Sequence, residues 1–167
     1  MKALVAFYSR TGTTGRVARL LADRLRSEGV EVTVAQVRTK AALGIIACIR
    51  QMMAAACPDL SEPVPDIRGY DLVFLGFPVW ANRPASPVNS ILRGLASPVG
   101  QKFAPFATCG GKDGYKAALS EVSNRLEGIG HKVIASHGFV RRDRPDATRQ
   151  TVDEFVEQAL TAAGMTR

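Results

Sequence analysis

Cysteine is scarce and badly spaced for structural work: Cys48, Cys57 and Cys109 are the only three in 167 residues, and no pair forms a CxxC motif. That excludes a disulfide framework and a zinc site and fits free thiols in a reducing compartment. No apolar segment is long and charge-free enough to cross a bilayer. The opening apolar run stops at Ser9 and Arg10, too soon for a signal-peptide core. The expectation from these absences is a cytoplasmic location. Histidine is equally sparse, and His131 and His137 stand apart from any second ligand, so they are expected to be structural or exposed and no metal is expected. Acidic residues are in short supply, 15 against 22 Lys and Arg, which leaves a net charge of +7 and a pI near 9.8. The cations are scattered (Arg16, Arg19, Arg24, Arg26, Arg38, Lys40) apart from Arg141, Arg142 and Arg144, so no long basic tract marks a nucleic-acid arm. They describe a solvated basic surface, or one that meets an acidic partner or a membrane surface. Internal repeats and low-complexity segments are also missing.

What is present suits one globular domain over residues 1–167: the length supports a substantial core, and 46% of the residues are hydrophobic. Ala3 to Tyr8 is a short apolar strand that runs into a loop of hydroxyls and glycine. Val17, Leu20, Leu21 and Leu25 then recur at helical spacing until Gly29 stops the helix. Val30, Val32 and Val34 alternate with Glu31 and Thr33, which predicts a half-buried strand near a sheet edge. Residues 40 to 57 suit a helix that is apolar almost all round. Such a helix is either buried on the sheet or offered as a homodimer interface or the wall of a hydrophobic pocket.

Asp71 to Gly76, DLVFLG, reads as a strand buried on both faces and closed by Gly76. Phe77 to Val88 reads as a loop with three prolines and the single tryptophan, and Ser86 and Pro87 stand at the N-cap and first position of a helix carrying Val88, Ile91, Leu92 and Leu95. Lys102 to Thr108 is the next strand, with Pro105 a misfit because it lacks an N–H. Tyr115, Ala118, Leu119, Val122 and Leu126 mark a helix, Val133 to Val140 a fifth strand, and Val152, Phe155, Val156, Ala159 and Leu160 a last helix. Strands alternating with helices predict a parallel α/β sheet with helices on both faces.

In such a sheet the loops Ser9 to Thr14, Pro78 to Asn82 and Thr108 to Gly111 emerge at one end, where open sheets bind ligands. The first of them joins a strand to a helix N-terminus, a natural anion site. A Walker loop is excluded because Gly15-Arg16-Val17 lacks its lysine, and no GxGxxG fingerprint is present. A phosphorylated receiver domain is excluded because Tyr8, Ser9 and Arg10 stand where it needs acidic residues.

Ser9-Arg10-Thr11-Gly12-Thr13-Thr14 matches the pattern Ser/Thr-x-Thr-Gly-x-Thr directly after the first strand, and the match continues through GFPVWANRP and ATCGG. In these stretches the chain resembles the flavodoxin family over nearly its whole length. The resemblance implies a flavodoxin-like three-layer sandwich, a five-stranded parallel sheet in the order 2-1-3-4-5, and non-covalently bound FMN. It places Ser9, Arg10, Thr11, Gly12, Thr13 and Thr14 around the phosphate. The resemblance also puts Trp80 against the isoalloxazine ring, with Pro78, Val79, Ala81 and Asn82 expected to meet it through backbone groups, and Thr108, Cys109, Gly110 and Gly111 expected at the pyrimidine edge. Tyr115 is a weaker stacking candidate and is expected in the core of its helix instead, and Cys109 is read as a small residue that fits beside a flavin in preference to a redox thiol.

Three functions are open to such a chain. One is an FMN electron carrier between redox partner proteins. The second is an NAD(P)H-dependent FMN reductase, an oxidoreductase passing electrons to quinones or similar small-molecule acceptors. The third is a flavodoxin-fold binding module without turnover. The basic charge departs from the acidic habit of carrier flavodoxins. Arg10, Arg16 and Arg83 near the ring are expected to stabilise an anionic reduced flavin and raise its potential, and they could also receive nicotinamide phosphates.

Overall fold

The structure, a computed structural model, describes residues 1–40, 50, 54, 56–95, 100–111, 113–141 and 145–165. The expected apolar helix over residues 40 to 57, and with it the homodimer surface, falls largely outside the described residues. In chain order the elements are β1 (Lys2–Tyr8), α1 (Thr13–Ser27), β2 (Glu31–Val37), β3 (Leu72–Trp80), β4 (Arg83–Pro84), α2 (Pro87–Gly94), β5 (Lys102–Cys109), α3 (Tyr115–Gly128), β6 (Lys132–Val133), β7 (His137–Val140) and α4 (Pro145–Ala162).

The sheet runs β2-β1-β3-β5-β6, all parallel, with β7 continuing beside β5 and β4 pairing back antiparallel on β3. Six of the seven strands therefore occupy five positions in the order 2-1-3-4-5, and the seventh, β4, is a short hairpin arm. Apolar side chains alternate between its faces. Val5, Phe7, Phe74 and Phe106 pack with Leu21 and Leu25 of α1 and Phe155 and Val156 of α4. Leu4, Val73, Leu75 and Phe103 pack with Val88 and Ile91 of α2 and Val122 and Leu126 of α3. Helices thus cover both faces, as the continuous apolar runs of β1, β3 and β5 require. β2 is the edge strand, as its alternating sequence predicts, but Val34 does not join the buried face and is exposed beside Thr33.

Several local expectations are corrected. Gly76 does not close β3, which continues through Trp80. A side chain at Gly76 would collide with the Phe106 ring on β5, so the glycine serves packing inside the strand. Residues 133 to 140 are two strand segments instead of one. The break at 134–136 lies beside Ala104 and Pro105, since Phe103 pairs with Val133 and pairing resumes at Phe106 with His137. Pro105 sits against this gap, which explains how a residue without an N–H is tolerated in an interior strand. Ser86 occupies the N-cap position of α2, but its hydroxyl makes no capping bond. His131 is buried and tilted against Phe103 with ring centroids 4.8 Å apart.

Candidate functional site

Parallel pairing carries the ends of β1, β3, β5 and β7 to one edge of the sheet, and the three expected loops meet there. The first is built by the β1–α1 junction. Gly12 adopts φ 86°, a left-handed conformation that favours glycine, and stands as the N-cap of α1 with no side-chain cap. Its carbonyl accepts the first helical bond from the Arg16 N–H at 2.9 Å, so the N–H groups of Thr13, Thr14 and Gly15 precede the intrahelical ladder. The Ser9 hydroxyl accepts from the Gly12 N–H at 3.1 Å and holds the turn. Thr11 and Thr13 bring their hydroxyl oxygens within 3.4 Å of each other. No acidic residue occupies the first turn of α1, while Arg10 and Arg16 are exposed beside it.

Thr14 is 1% exposed and turns inward. Its Oγ1 lies 2.7 Å from Oγ1 of Thr108, at the end of β5 and 94 residues away in sequence. That bond uses one hydroxyl hydrogen of the two, and the other remains for a ligand. The anion loop and the β5 loop are therefore pinned together by a buried polar contact that spacing alone does not reveal.

The segment read as a loop after Gly76 is the extended end of β3 followed by a tight hairpin. Ala81 and Asn82, at φ 45° and 62°, are the two central residues between Trp80 and Arg83, the pattern of a type I′ turn. Neither is glycine, and the left-handed Ala81 costs about 1 kcal/mol. The Ala85 N–H donates to the Pro78 carbonyl at 3.0 Å, and the Asn82 side-chain oxygen lies 3.0 Å from the position a Cβ on Gly114 would take. The hairpin is thereby held against the start of α3. Trp80 is half-buried, its ring edge-on to Tyr8 of β1 with centroids 6.2 Å apart, so one contact fixes its plane at the sheet edge.

On the third loop Cys109 is buried, its thiol donating to the Gly111 carbonyl at 2.8 Å, and its own carbonyl accepts from Arg141 N–H at 2.8 Å. Gly110 and Gly111 are exposed. Neither has a left-handed φ, and a Cβ on either would meet nothing within 4 Å. The protein's own packing does not require these glycines, which leave a bare backbone floor beside Thr108. Tyr115 belongs elsewhere: its ring lies over Gly138 of β7, where a side chain would collide with it. Next to it, the hydrogen bond that the Lys116 ammonium donates to the Asp113 carboxylate holds its pKa above the ordinary range, and the carboxylate's charge adds to the shift.

Ser9 to Thr14, Pro78 to Asn82 and Thr108 to Gly111 are thus brought to one edge, and Tyr115 is placed on a different packing job. Two cations of this edge escape a reading of motifs, Arg38 directly after β2 and Arg141 directly after β7. Their signal in the sequence is a basic residue following the last apolar residue of a strand, Val37 and Val140. Among the described residues no three His, Cys, Asp or Glu side chains converge as a metal site would need.

Comparison with known proteins agrees with this architecture. A protein of Bacteroides uniformis superposes with a TM-score of 0.75 at 23% identity, over 93% of this chain and 97% of that one. A Lactobacillus acidophilus flavoprotein solved in complex with FMN gives 0.69 at 22% identity, over 92% and 97%. Oxidised flavodoxin 1 of Bacillus cereus gives 0.70 at 17% identity, over 96% and 98%. These likenesses show the fold. No curated protein matches the chain significantly. The flavodoxin family model matches residues 2–158, nearly the entire length, and the chain belongs to the flavodoxin family.

Proposed function

We propose that the protein binds FMN non-covalently at this edge and carries electrons between redox partners. The observation that carries the reading is the pairing of an uncapped helix N-terminus at Thr13 to Gly15 with the unexplained glycine floor at Gly110 and Gly111. The first suits a phosphate monoester, and the second suits a flat ring lying close to backbone. The junction residues Ser9 to Thr14 hold the phosphate, Trp80 offers an indole face to the ring system, and Thr108 to Gly111 meet the ring's polar edge. FMN, when bound, supplies the one- and two-electron chemistry, and the protein sets its access and potential. The FMN complex of the Lactobacillus acidophilus relative supports the choice of cofactor.

The visible spectrum of the purified protein, or of apoprotein titrated with FMN, tests the cofactor. A stoichiometric flavin spectrum is expected, and failure to take up FMN would sink the reading. Incubation with NADH or NADPH and a quinone then separates the roles. Absence of steady turnover is expected of a carrier, whereas sustained turnover would make the protein a reductase whose arginines receive the nicotinamide phosphates. The reading expects electron delivery to other proteins, in a chain for which no helix of the described residues is long and apolar enough to cross a membrane.

A further inference from the structure

Among the described residues, most ion-paired cations lie away from the carboxyl edge of the sheet. Lys2 faces Glu31, Arg24 bonds Glu28 and Asp153, Arg26 meets Asp23, Arg68 meets Asp66 and Arg125 approaches Glu121. At the carboxyl edge the pattern reverses. Arg38 follows β2, Arg10 follows β1, Arg83 lies on the hairpin that extends β3, and Arg141 follows β7. All four are exposed, and none has a carboxylate within ion-pair distance among the described residues. Arg16 joins them on the first turn of α1. Lys116, paired with Asp113 at the start of α3, is the exception at this end. Arg19, Arg50, Arg93, Lys102, Lys132 and Arg149 also lack an ion pair among the described residues, as does Lys40 two residues beyond Arg38, and Arg149 lies near the start of α4, which follows β7 at this edge.

Cations line four of the five strand positions, from β2 at one margin to β7 at the other. Four inter-strand steps of about 4.8 Å separate these margins, so the row is roughly 19 Å wide. A dinucleotide's phosphates would use two or three converging cations within a few ångströms. A row of single, separated, solvated guanidinium groups around an open crevice is instead the scale of a protein contact, in which spread charge steers and orients encounter.

We propose that this edge is a docking surface for an acidic protein face, with Arg38, Arg83 and Arg141 as its outer contacts. The choice of face agrees with the cofactor site proposed above and rests on it only in placing the partner against the flavin edge. The charge pattern itself requires no bound group.

The test uses a strongly acidic plant-type 2Fe–2S ferredoxin as probe, fluorescently labelled and titrated with apoprotein and with FMN-treated protein at low ionic strength. Basic cytochrome c, phosphatidylserine vesicles and a duplex oligonucleotide are run beside it. Flavin fluorescence reports FMN uptake separately. Saturable ferredoxin binding is expected in both forms, weakening about tenfold between ~20 mM and ~200 mM salt. The double variant R38Q/R141Q should weaken it by about fivefold at low salt, with FMN uptake retained. The double R93Q/K132Q removes the same net charge from outside this edge and should change affinity by less than about twofold. Equal losses in the two doubles would reduce the effect to net charge and overturn the proposal. Absent ferredoxin binding, or tighter binding of cytochrome c, vesicles or the oligonucleotide, would overturn it too. Ferredoxin binding without FMN uptake would overturn the cofactor assignment and leave the docking surface standing.

Discussion

The buried contact between Thr14 and Thr108 allows a sharp test of how the site is assembled. Both hydroxyls are almost wholly excluded from water, at 1% and 3% exposure, and their oxygens are 2.7 Å apart. Replacing Thr108 with Val keeps the branched shape but strands the Thr14 hydroxyl in the interior. An unsatisfied buried hydroxyl costs about 1–3 kcal/mol, more than the roughly 1 kcal/mol that an ordinary hydrogen bond contributes. Thr14→Val strands its partner in the same way. The double variant removes both polar groups at once and should recover most of the loss, because two apolar groups of matching shape are nearly neutral in place of a bonded pair. Urea unfolding of the apoprotein therefore should show two singles down by about 2 kcal/mol each and a double down by less than about 1 kcal/mol. FMN affinity should behave differently. If the unused hydroxyl hydrogen is given to the phosphate, it is absent in the double variant, whose FMN affinity should fall by about tenfold or more although its fold is restored. Additive losses of stability, or singles within about 0.5 kcal/mol of the parent, would refute the contact as the pin between the two loops.

The glycines offer a second contrast: Gly138→Ala drives a methyl into the Tyr115 ring and should cost about 1–3 kcal/mol, whereas Gly110→Ala and Gly111→Ala should leave stability nearly unchanged and weaken FMN binding. Equal behaviour in unfolding and flavin titrations would break that distinction. Trp80→Ala should weaken FMN binding or shift its reduction potential, and no change in either would remove Trp80 from the site. A redox titration should place the fully reduced flavin at a less negative potential than in acidic flavodoxins, since one cation about 10 Å from the ring at an effective dielectric near 30 is worth roughly 1 kcal/mol, about 40 mV per electron. An equally low potential would show that the arginines are screened. Burial lowers the His137 pKa below 6.5, opposed by Glu154, so the unfolded chain takes up the proton first. Stability should then be retained above about pH 6.5 and decline as pH falls below it toward the folded-state value, and His137→Gln should flatten that slope in unfolding measured from about pH 7.5 to about pH 5.5.

Where periodicity and chemistry are local, the sequence is a good guide to this fold. The helix after Thr14, the edge position of β2 and the anion-binding junction at Gly12 each depend on residues within a few positions of one another. The misreadings have long-range causes. Gly76 reads as a terminator because glycine usually punctuates, yet its reason is the Phe106 ring thirty residues later on β5. Pro105 reads as a defect unless the gap at 134–136 beside it is taken into account. The hairpin at Ala81 and Asn82 is hidden because its two left-handed residues are not the glycines that normally announce such a turn. The Thr14–Thr108 bond has no pattern at all in one dimension.

The same division separates the cofactor question from the partner question. An anion loop is written in consecutive residues, so Ser9 to Thr14 is legible in the sequence by itself. A docking surface is written in residues that share only an edge: Arg38, Arg10, Arg83 and Arg141 are spread over a hundred positions and look like background charge until strand order sets them side by side. Local pairing of five cations elsewhere then adds to the argument from position. Lys2, Arg24, Arg26, Arg68 and Arg125 have carboxylates within reach, whereas the row at the crevice has none among the described residues. Exposed charge left without an internal partner repels its neighbours and lowers stability slightly, a cost that a complementary partner removes on binding. The net charge of +7 is therefore better understood by where its unpaired part lies than by its size.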